Sequence, residues 1–290
     1  MSYKERCIVT RGGIYCKKSS KRKYAIANSK HEKLEFNDIY DGNSSEDEIN
    51  NILKNINSNK IQELKIDGLS KINSTFMTAL AHSKTETLKS LTIINTGITR
   101  GDIRLLTFFI LHNISLNNLE IDFSNKNDAG ECSFCLHWII TTLSNKGSYL
   151  KYISFANCSK KNLSSDTRIA GHIMTLLKRN ENLIILKLRN IGLTDADIEI
   201  ISKTLCDNNL EELDISNNIY ITDLGGMAIV KELEKNINKS KLREINVSGT
   251  RITEKIKQKM QKYVAITEKK LPWVSMKRLL NKEEFYGYKY

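Results

Sequence analysis

The sequence predicts an α/β solenoid of about eight strand–turn–helix units, with a parallel sheet along the concave side and helices on the convex side. Three observations carry that prediction. Apolar residues recur as L-x-x-L-x-L at a spacing near thirty residues. Each copy is followed by a stretch whose apolar spacing changes from about two to about 3.6, the change expected when a strand gives way to a helix. Between the two halves lies a short polar turn that ends in threonine.

The copies start at residues 31, 61, 88, 116, 150, 183, 210 and 242, so successive steps are 30, 27, 28, 34, 33, 27 and 32 residues. The clearest strands are Leu88-Lys-Ser-Leu91-Thr-Ile93, Leu183-Ile-Ile-Leu186-Lys-Leu188, Leu210-Glu-Glu-Leu213-Asp-Ile215 and Leu242-Arg-Glu-Ile245-Asn-Val247. Ile61, Leu116 and Leu150 open looser copies, and His31 opens a degenerate first one. The turns read Asn95-Thr-Gly-Ile98-Thr, Asn190-Ile-Gly-Leu193-Thr, Ile219-Tyr-Ile221-Thr and Gly249-Thr-Arg-Ile252-Thr. Thr99, Thr194, Thr222 and Thr253 are therefore expected N-caps, since a hydroxyl there can accept from the unpaired amides of the first helical turn. Asn113, Asn145, Asn180, Asn208 and Asn236 are expected to close the helices, because asparagine tolerates the left-handed conformation used at helix C-termini.

These residues resemble leucine-rich repeats of the ribonuclease-inhibitor type, over about residues 31–266. The resemblance implies a horseshoe-shaped leucine-rich-repeat solenoid that binds proteins. At the ninth position, where that family carries asparagine or cysteine, only Asn218 supplies the asparagine; Ile39, Ser124 and Cys158 stand in three of the looser copies. Thr96 and Thr250 are expected to substitute as partial donors. Enzyme inhibitors, actin-filament-end proteins and innate sensors share the repeat, but no residue set specific to any of them is matched here.

Composition bounds the function. The chain has 290 residues, 40% hydrophobic and 27% charged, ordinary values for a folded soluble protein. No window reaches the roughly eighteen apolar residues of a membrane helix, and the first residues lack the apolar stretch of a signal peptide. A cytoplasmic protein is expected, or one delivered to a host cell without a classical signal, with the nucleus as an alternative. Six unevenly spaced cysteines fit reduced thiols, and no structural disulfide is expected. One proline against 29 asparagines matches an AT-rich codon supply and raises a pathogen effector as a special case.

The net charge of +12 sits at the ends: residues 1–30 carry +8, residues 251–290 carry +7, and residues 31–250 carry −3. An argument from overall basicity to nucleic acid therefore fails for the array itself. The run Lys17, Lys18, Lys21, Arg22 and Lys23 reads as a solvated tail, with nuclear targeting or phosphate binding as the alternative.

If the first, fourth and sixth positions of each copy point into the core, the third, fifth and seventh line the concave wall. Neighbouring strands then place Tyr152 beside Ile185, with Lys187 and Arg189 next to them and Glu212 and Asp214 one strand further on. Ile94, Glu120 and Asp122 extend the candidate partner-binding set on the other side. An exposed aromatic and an aliphatic beside an arginine have the composition of a protein-binding hot spot. The alternative is a solvated wall with a Lys187–Asp214 ion pair worth under about 1 kcal/mol. Eight acids against four bases in these rows favour a basic or mixed partner surface.

Chemistry finds no foothold in the pattern. Cys132-Ser-Phe-Cys135-Leu-His137 has metal-ligand spacing but no second ligand pair, and it falls in an expected helix, so core packing is the reading preferred over a metal site. Cys158 and Cys206 also read as core. Cys7 and Cys16 flank an expected hairpin turn at Arg11-Gly12, which places them opposite each other in an N-terminal cap, with zinc or a disulfide as the alternative. His31, His82, His112, His137 and His172 are scattered, with no partnered nucleophile. Gly12-Gly13 and Gly225-Gly226 lack the companions of a phosphate loop. No catalysis, cofactor or metal is expected.

After Pro272, Trp273, Met276, Leu279 and Leu280 suit a short helix that caps the array, with Phe285, Tyr286, Tyr288 and Tyr290 folding back or docking elsewhere; a basic membrane-surface helix is the alternative. The domain reading is thus a basic segment at 1–30, the array at 31–266 and a basic, aromatic tail at 267–290. The function expected is a monomeric, non-catalytic module that binds a protein on its concave face. The competing class is an adaptor whose basic ends hold nucleic acid or an anionic membrane.

Overall fold

The computed structural model describes the backbone of residues 6–10, 13–18, 22–25 and 33–37. It also describes the backbone and most side chains of residues 61–67, 74–83, 86–94, 96–124, 129–146, 149–158, 168–236 and 238–267. Three strands, β1 (Arg6–Thr10), β2 (Gly13–Lys18) and β3 (Arg22–Ala25), form an antiparallel meander. As expected, Cys7 stands opposite Cys16 in the β1–β2 register. The expected tail elements after residue 267 lie outside the described residues.

Nine further strands form one open parallel sheet whose order follows the chain. They are β4 (Lys33–Asn37), β5 (Glu63–Asp67), β6 (Ser90–Ile94), β7 (Asn118–Asp122), β8 (Tyr152–Ala156), β9 (Ile185–Arg189), β10 (Glu212–Asp214), β11 (Glu244–Asn246) and β12 (Ala265–Thr267). Eight of them fall on the eight sequence copies. The ninth, β12, extends the sheet past the last copy, pairing Ile266 with Ile245. It has no leucine pattern of its own, which is why periodicity does not announce it.

Helices α1 (Ser74–Ala81), α2 (Arg100–His112), α3 (Ala129–Lys146), α4 (Arg168–Arg179), α5 (Asp195–Ser202), α6 (Asp223–Lys235) and α7 (Glu254–Met260) stack in chain order on the other side of the core. A parallel sheet with short units needs such a crossover between each pair of strands. The first, fourth and sixth positions are sealed between the two layers: Leu88, Leu91, Ile93, Leu183, Leu186 and Leu188 are all at most 1% exposed. Each such side chain contributes about 1.5–3 kcal/mol on burial, and no single unit could bury them alone. The fold is therefore the α/β repeat solenoid that the pattern predicts. Among the described residues, no helix is long and apolar enough to cross a membrane.

The turns use more side-chain chemistry than caps alone. Thr99 and Thr194 form capping boxes: each hydroxyl accepts from the amide of Asp102 or Asp197, and that aspartate accepts the threonine amide at 2.8 Å. Thr222 caps α6 and is itself held from the preceding unit, where Asp195 accepts from the Thr222 amide and hydroxyl at 2.7 Å each and from the Gly225 amide at 2.9 Å. Thr253 departs from expectation. Its hydroxyl caps nothing and instead donates to Asp223 at 2.9 Å, while its amide donates to the same carboxylate at 2.7 Å. One unit's aspartate thus clamps the next unit's turn, at Asp195 to Thr222 and again at Asp223 to Thr253.

The asparagines also differ from expectation. Asn113, at the end of α2, is extended rather than left-handed, and its side-chain oxygen accepts from the amides of Ser115 and Leu116. Asn180 likewise caps the following turn and donates to the Leu150 carbonyl at the start of its own unit. Asn208 and Asn236 donate back to the carbonyls of Thr204 and Glu232. Left-handed backbone occurs instead at the eighth position, just past the strands, at Asn157, Asn190 and Asn217, with Gly249 in the equivalent place. A short amide tolerates that conformation better than any β-branched residue. The Asn145 side chain lies outside the described residues.

Gly225 and Gly226, weighed above as a phosphate loop, serve close packing. A Cβ on Gly225 would come 2.7 Å from Asp195 Oδ1, and one on Gly226 would come 2.7 Å from Ile256 of α7. Cys135 and Cys206 are buried and outside any disulfide, as expected, and burial pushes the Cys206 thiol up from its ordinary value. Cys158 corrects the expectation of reduced thiols throughout, because it is disulfide-bonded.

Candidate protein-binding surface

The strand register sets the concave wall. Tyr152 pairs with Ile185 and Asn118, Ser154 with Lys187 and Glu120, and Ala156 with Arg189 and Asp122. Glu212 and Asp214 follow beside Ile185 and Lys187. Tyr152 and Ile185 are half-buried neighbours, and the Lys187 ammonium stands 5.4 Å from the centroid of the Tyr152 ring. Burial, with the Glu120 carboxylate adding to it, pushes the Tyr152 phenol above its ordinary value, so it stays protonated at neutral pH.

Arg189 is fixed by two groups on different strands. Its Nη2 donates to Glu120 Oε1 at 3.0 Å and to the Ser154 hydroxyl at 3.1 Å, spanning β8 from β9 to β7. Its Nε is buried without an acceptor. A buried donor left unpaired costs about 1–3 kcal/mol. Lys187 pairs with Glu212 at 3.1 Å rather than with Asp214, the partner named in the alternative reading of a solvated wall. Asp214 is buried and accepts from the Ser216 amide at 2.9 Å, so it sets the strand end instead of facing a partner.

The expected site therefore divides. Glu120, Tyr152, Ile185, Lys187, Arg189 and Glu212 come together in one cluster. Ile94 sits on β6, two strands from Tyr152, and is apart from it. Asp122 is committed to the polar ladder at the strand ends, where it accepts from the Ser124 amide at 2.8 Å and from Asn157 Nδ2 at 2.9 and 3.0 Å. Ser154, on the fifth-position row expected to face solvent, is 0% exposed because Arg189 and Glu120 cover it. Tyr149 and Ile184, 59% and 36% exposed at the approaches to β8 and β9, are apolar residues that the strand pattern does not single out. Their adjacency in sequence to Tyr152 and Ile185 is the signal that finds them.

From β5 to β11 the three rows carry seven acids and three bases, so the wall is anionic overall. Its pairs at Lys187 and Arg189 leave both cations held in place beside the apolar pair.

No family model matches the sequence, and no curated protein is matched. Among solved structures, the chain is similar to a Bacteroides fragilis protein at a TM-score of 0.49 and 16% identity, over 82% of this chain and 74% of that one. It is also similar to the yeast Rad7 and Elc1 complex at a TM-score of 0.34 and 14% identity, over 77% and 71%.

Proposed function

We propose that this chain is a non-catalytic interaction module of the ribonuclease-inhibitor-like repeat class, and that its concave wall docks a protein partner around Tyr152 and Ile185. One observation carries the reading: an aromatic and an aliphatic side chain lie side by side on a largely polar wall, flanked by an arginine already immobilised by Glu120 and Ser154. Large rigid anchors next to a pre-oriented guanidinium are what contribute most to protein interfaces, because little entropy remains to be lost on binding. The anionic surroundings favour a partner that is basic at its rim. A monomer in the cytoplasm of its producer, or in a host cell after export, is the setting proposed.

The test is retention of a protein from a cell lysate, followed by an affinity measurement with that purified protein. The chain with Tyr152→Ala, Ile185→Ala and Arg189→Ala is expected to keep its circular dichroism and to bind at least about a hundredfold more weakly. Raising the salt from about 0.15 to about 0.5 M should change the wild-type affinity only a few-fold. Unchanged binding by the folded triple variant overturns the concave reading. A steep loss with salt, with nucleic acid or lipid retained instead, assigns the function to the basic ends.

A further inference from the structure

The outer face of the helices carries a second cluster that the strand pattern does not reveal. Arg100, Arg104, Phe108 and His112 stand one turn apart along α2, and all four are exposed. Each arginine is laid over an aromatic ring of α3: the Arg100 guanidinium is 4.6 Å from the centroid of Phe134, and that of Arg104 is 5.5 Å from Trp138. The indole N–H of Trp138 donates to the Thr107 hydroxyl at 3.3 Å, which fixes the ring beneath its cation. Phe108, 44% exposed, has the His112 ring 4.1 Å away on its own helix and the His82 ring 5.8 Å away on the neighbouring unit.

A guanidinium stacked on a ring has one face covered, but its edge still presents a planar fork of N–H donors. No carboxylate among the described residues pairs with either arginine, and the nearby Asp102 is consumed by the Thr99 capping box. Two pre-oriented forks therefore stand one helical turn apart beside an exposed apolar ring, with their acceptors missing. We propose that this convex face docks an acidic helical segment of a partner protein. Two of its carboxylates, one turn apart, engage Arg100 and Arg104, and an apolar side chain one turn further along meets Phe108. Side chains at i and i+4 of a helix have Cβ atoms about 5–6 Å apart, so glutamates one turn apart share the sequence spacing of the two arginines. Single-stranded nucleic acid fits less well, because the faces of Phe134 and Trp138 that would stack a base are already occupied by cations. The cationic convex patch thus selects an acidic partner, whereas the anionic concave wall favours a basic one, and this proposal does not depend on the concave one.

The test uses the full chain and short fluorescein-labelled helical peptides, each carrying two glutamates at i and i+4 and a leucine one turn beyond them, read by anisotropy. Counterparts with glutamine at the two positions, an oligouridine and phosphatidylserine vesicles serve as the other arms. The glutamate peptides are expected to bind at least about tenfold more tightly than the glutamine ones. The Arg100→Gln, Arg104→Gln chain should lose that difference while keeping its circular dichroism, and Tyr152→Ala should leave it intact. Equal binding of the two peptide sets overturns the proposal, as does an unaffected double variant. Binding of oligouridine or vesicles without discrimination between the peptides also overturns it.

Discussion

Asn218 and Thr250 occupy the ninth position of successive units, and they satisfy the buried turn there to different extents. The Asn218 amide donates to the carbonyls of Leu188 and Ile215 at 2.8 Å each and accepts from the amides of Ile191 and Leu193 at 3.0 Å each, all out of water. Thr250 donates once, to Val247 at 2.7 Å within its own unit. Asn218→Ala is therefore expected to cost about 3 kcal/mol or more in chemical denaturation, against about 1 kcal/mol for Thr250→Ala, because only the first strands several buried groups at once. Equal losses would show that these bonds do not set the stability of the turn. At this scale the sequence was partly legible. Asn218 stands out by its place in the repeat, whereas left-handed Asn157, Asn190 and Asn217 are lost among 29 asparagines, most of which serve elsewhere.

Strand and helix alternation is the most legible feature of the chain, because the core needs three sealed positions per strand and those positions repeat. What periodicity misses at the element scale is how one turn is tied to the next. Asp195 begins α5 and reads as an ordinary acidic first-turn residue, yet its carboxylate accepts three hydrogen bonds from the turn and first helical residues of the following unit. The turns are also in parallel register, with Thr194 bridged to Tyr220 and Thr222 to Arg251. Asp195→Ala should raise amide hydrogen exchange at Thr222 and Gly225, leave Thr253 protected by Asp223, and lower stability by about 2 kcal/mol. If exchange rose equally at Thr253, the clamps would not act unit by unit. The same contacts explain why β12 escapes notice: it is recruited by pairing to β11, with no leucine pattern to mark it.

Over the whole molecule, the alignment of rows brings together residues that are remote in the chain, Glu120 and Arg189 being 69 positions apart. The concave cluster was legible to that extent, since strand spacing alone places Tyr152 beside Ile185. The choice of partners within it was not, because whether Lys187 turns to Glu212 or Asp214 depends on which carboxylate the strand end has already claimed. The convex cluster was illegible for a different reason: its rings and cations come from two helices and from His82 just past a third, and no spacing rule supplies the rotation of those helices about their own axes.

One of these contacts has a mechanical side. Neighbouring strands are about 4.8 Å apart, so the backbones of β7 and β9 stand about 10 Å apart with β8 between them. A 3.0 Å bond between side chains from those two strands can close only while they lean toward each other over the middle one. The Glu120–Arg189 pair is then a tie rod on the inner wall, put under tension by any flattening of the arc. Arg189→Leu should let the array open, seen as a larger radius of gyration in small-angle scattering with helix content unchanged; an identical scattering curve would show that packing alone sets the bend. A partner carboxylate that drew Arg189 away from Glu120 would act on the same rod, so docking at this one residue would alter the stiffness of the solenoid along its length.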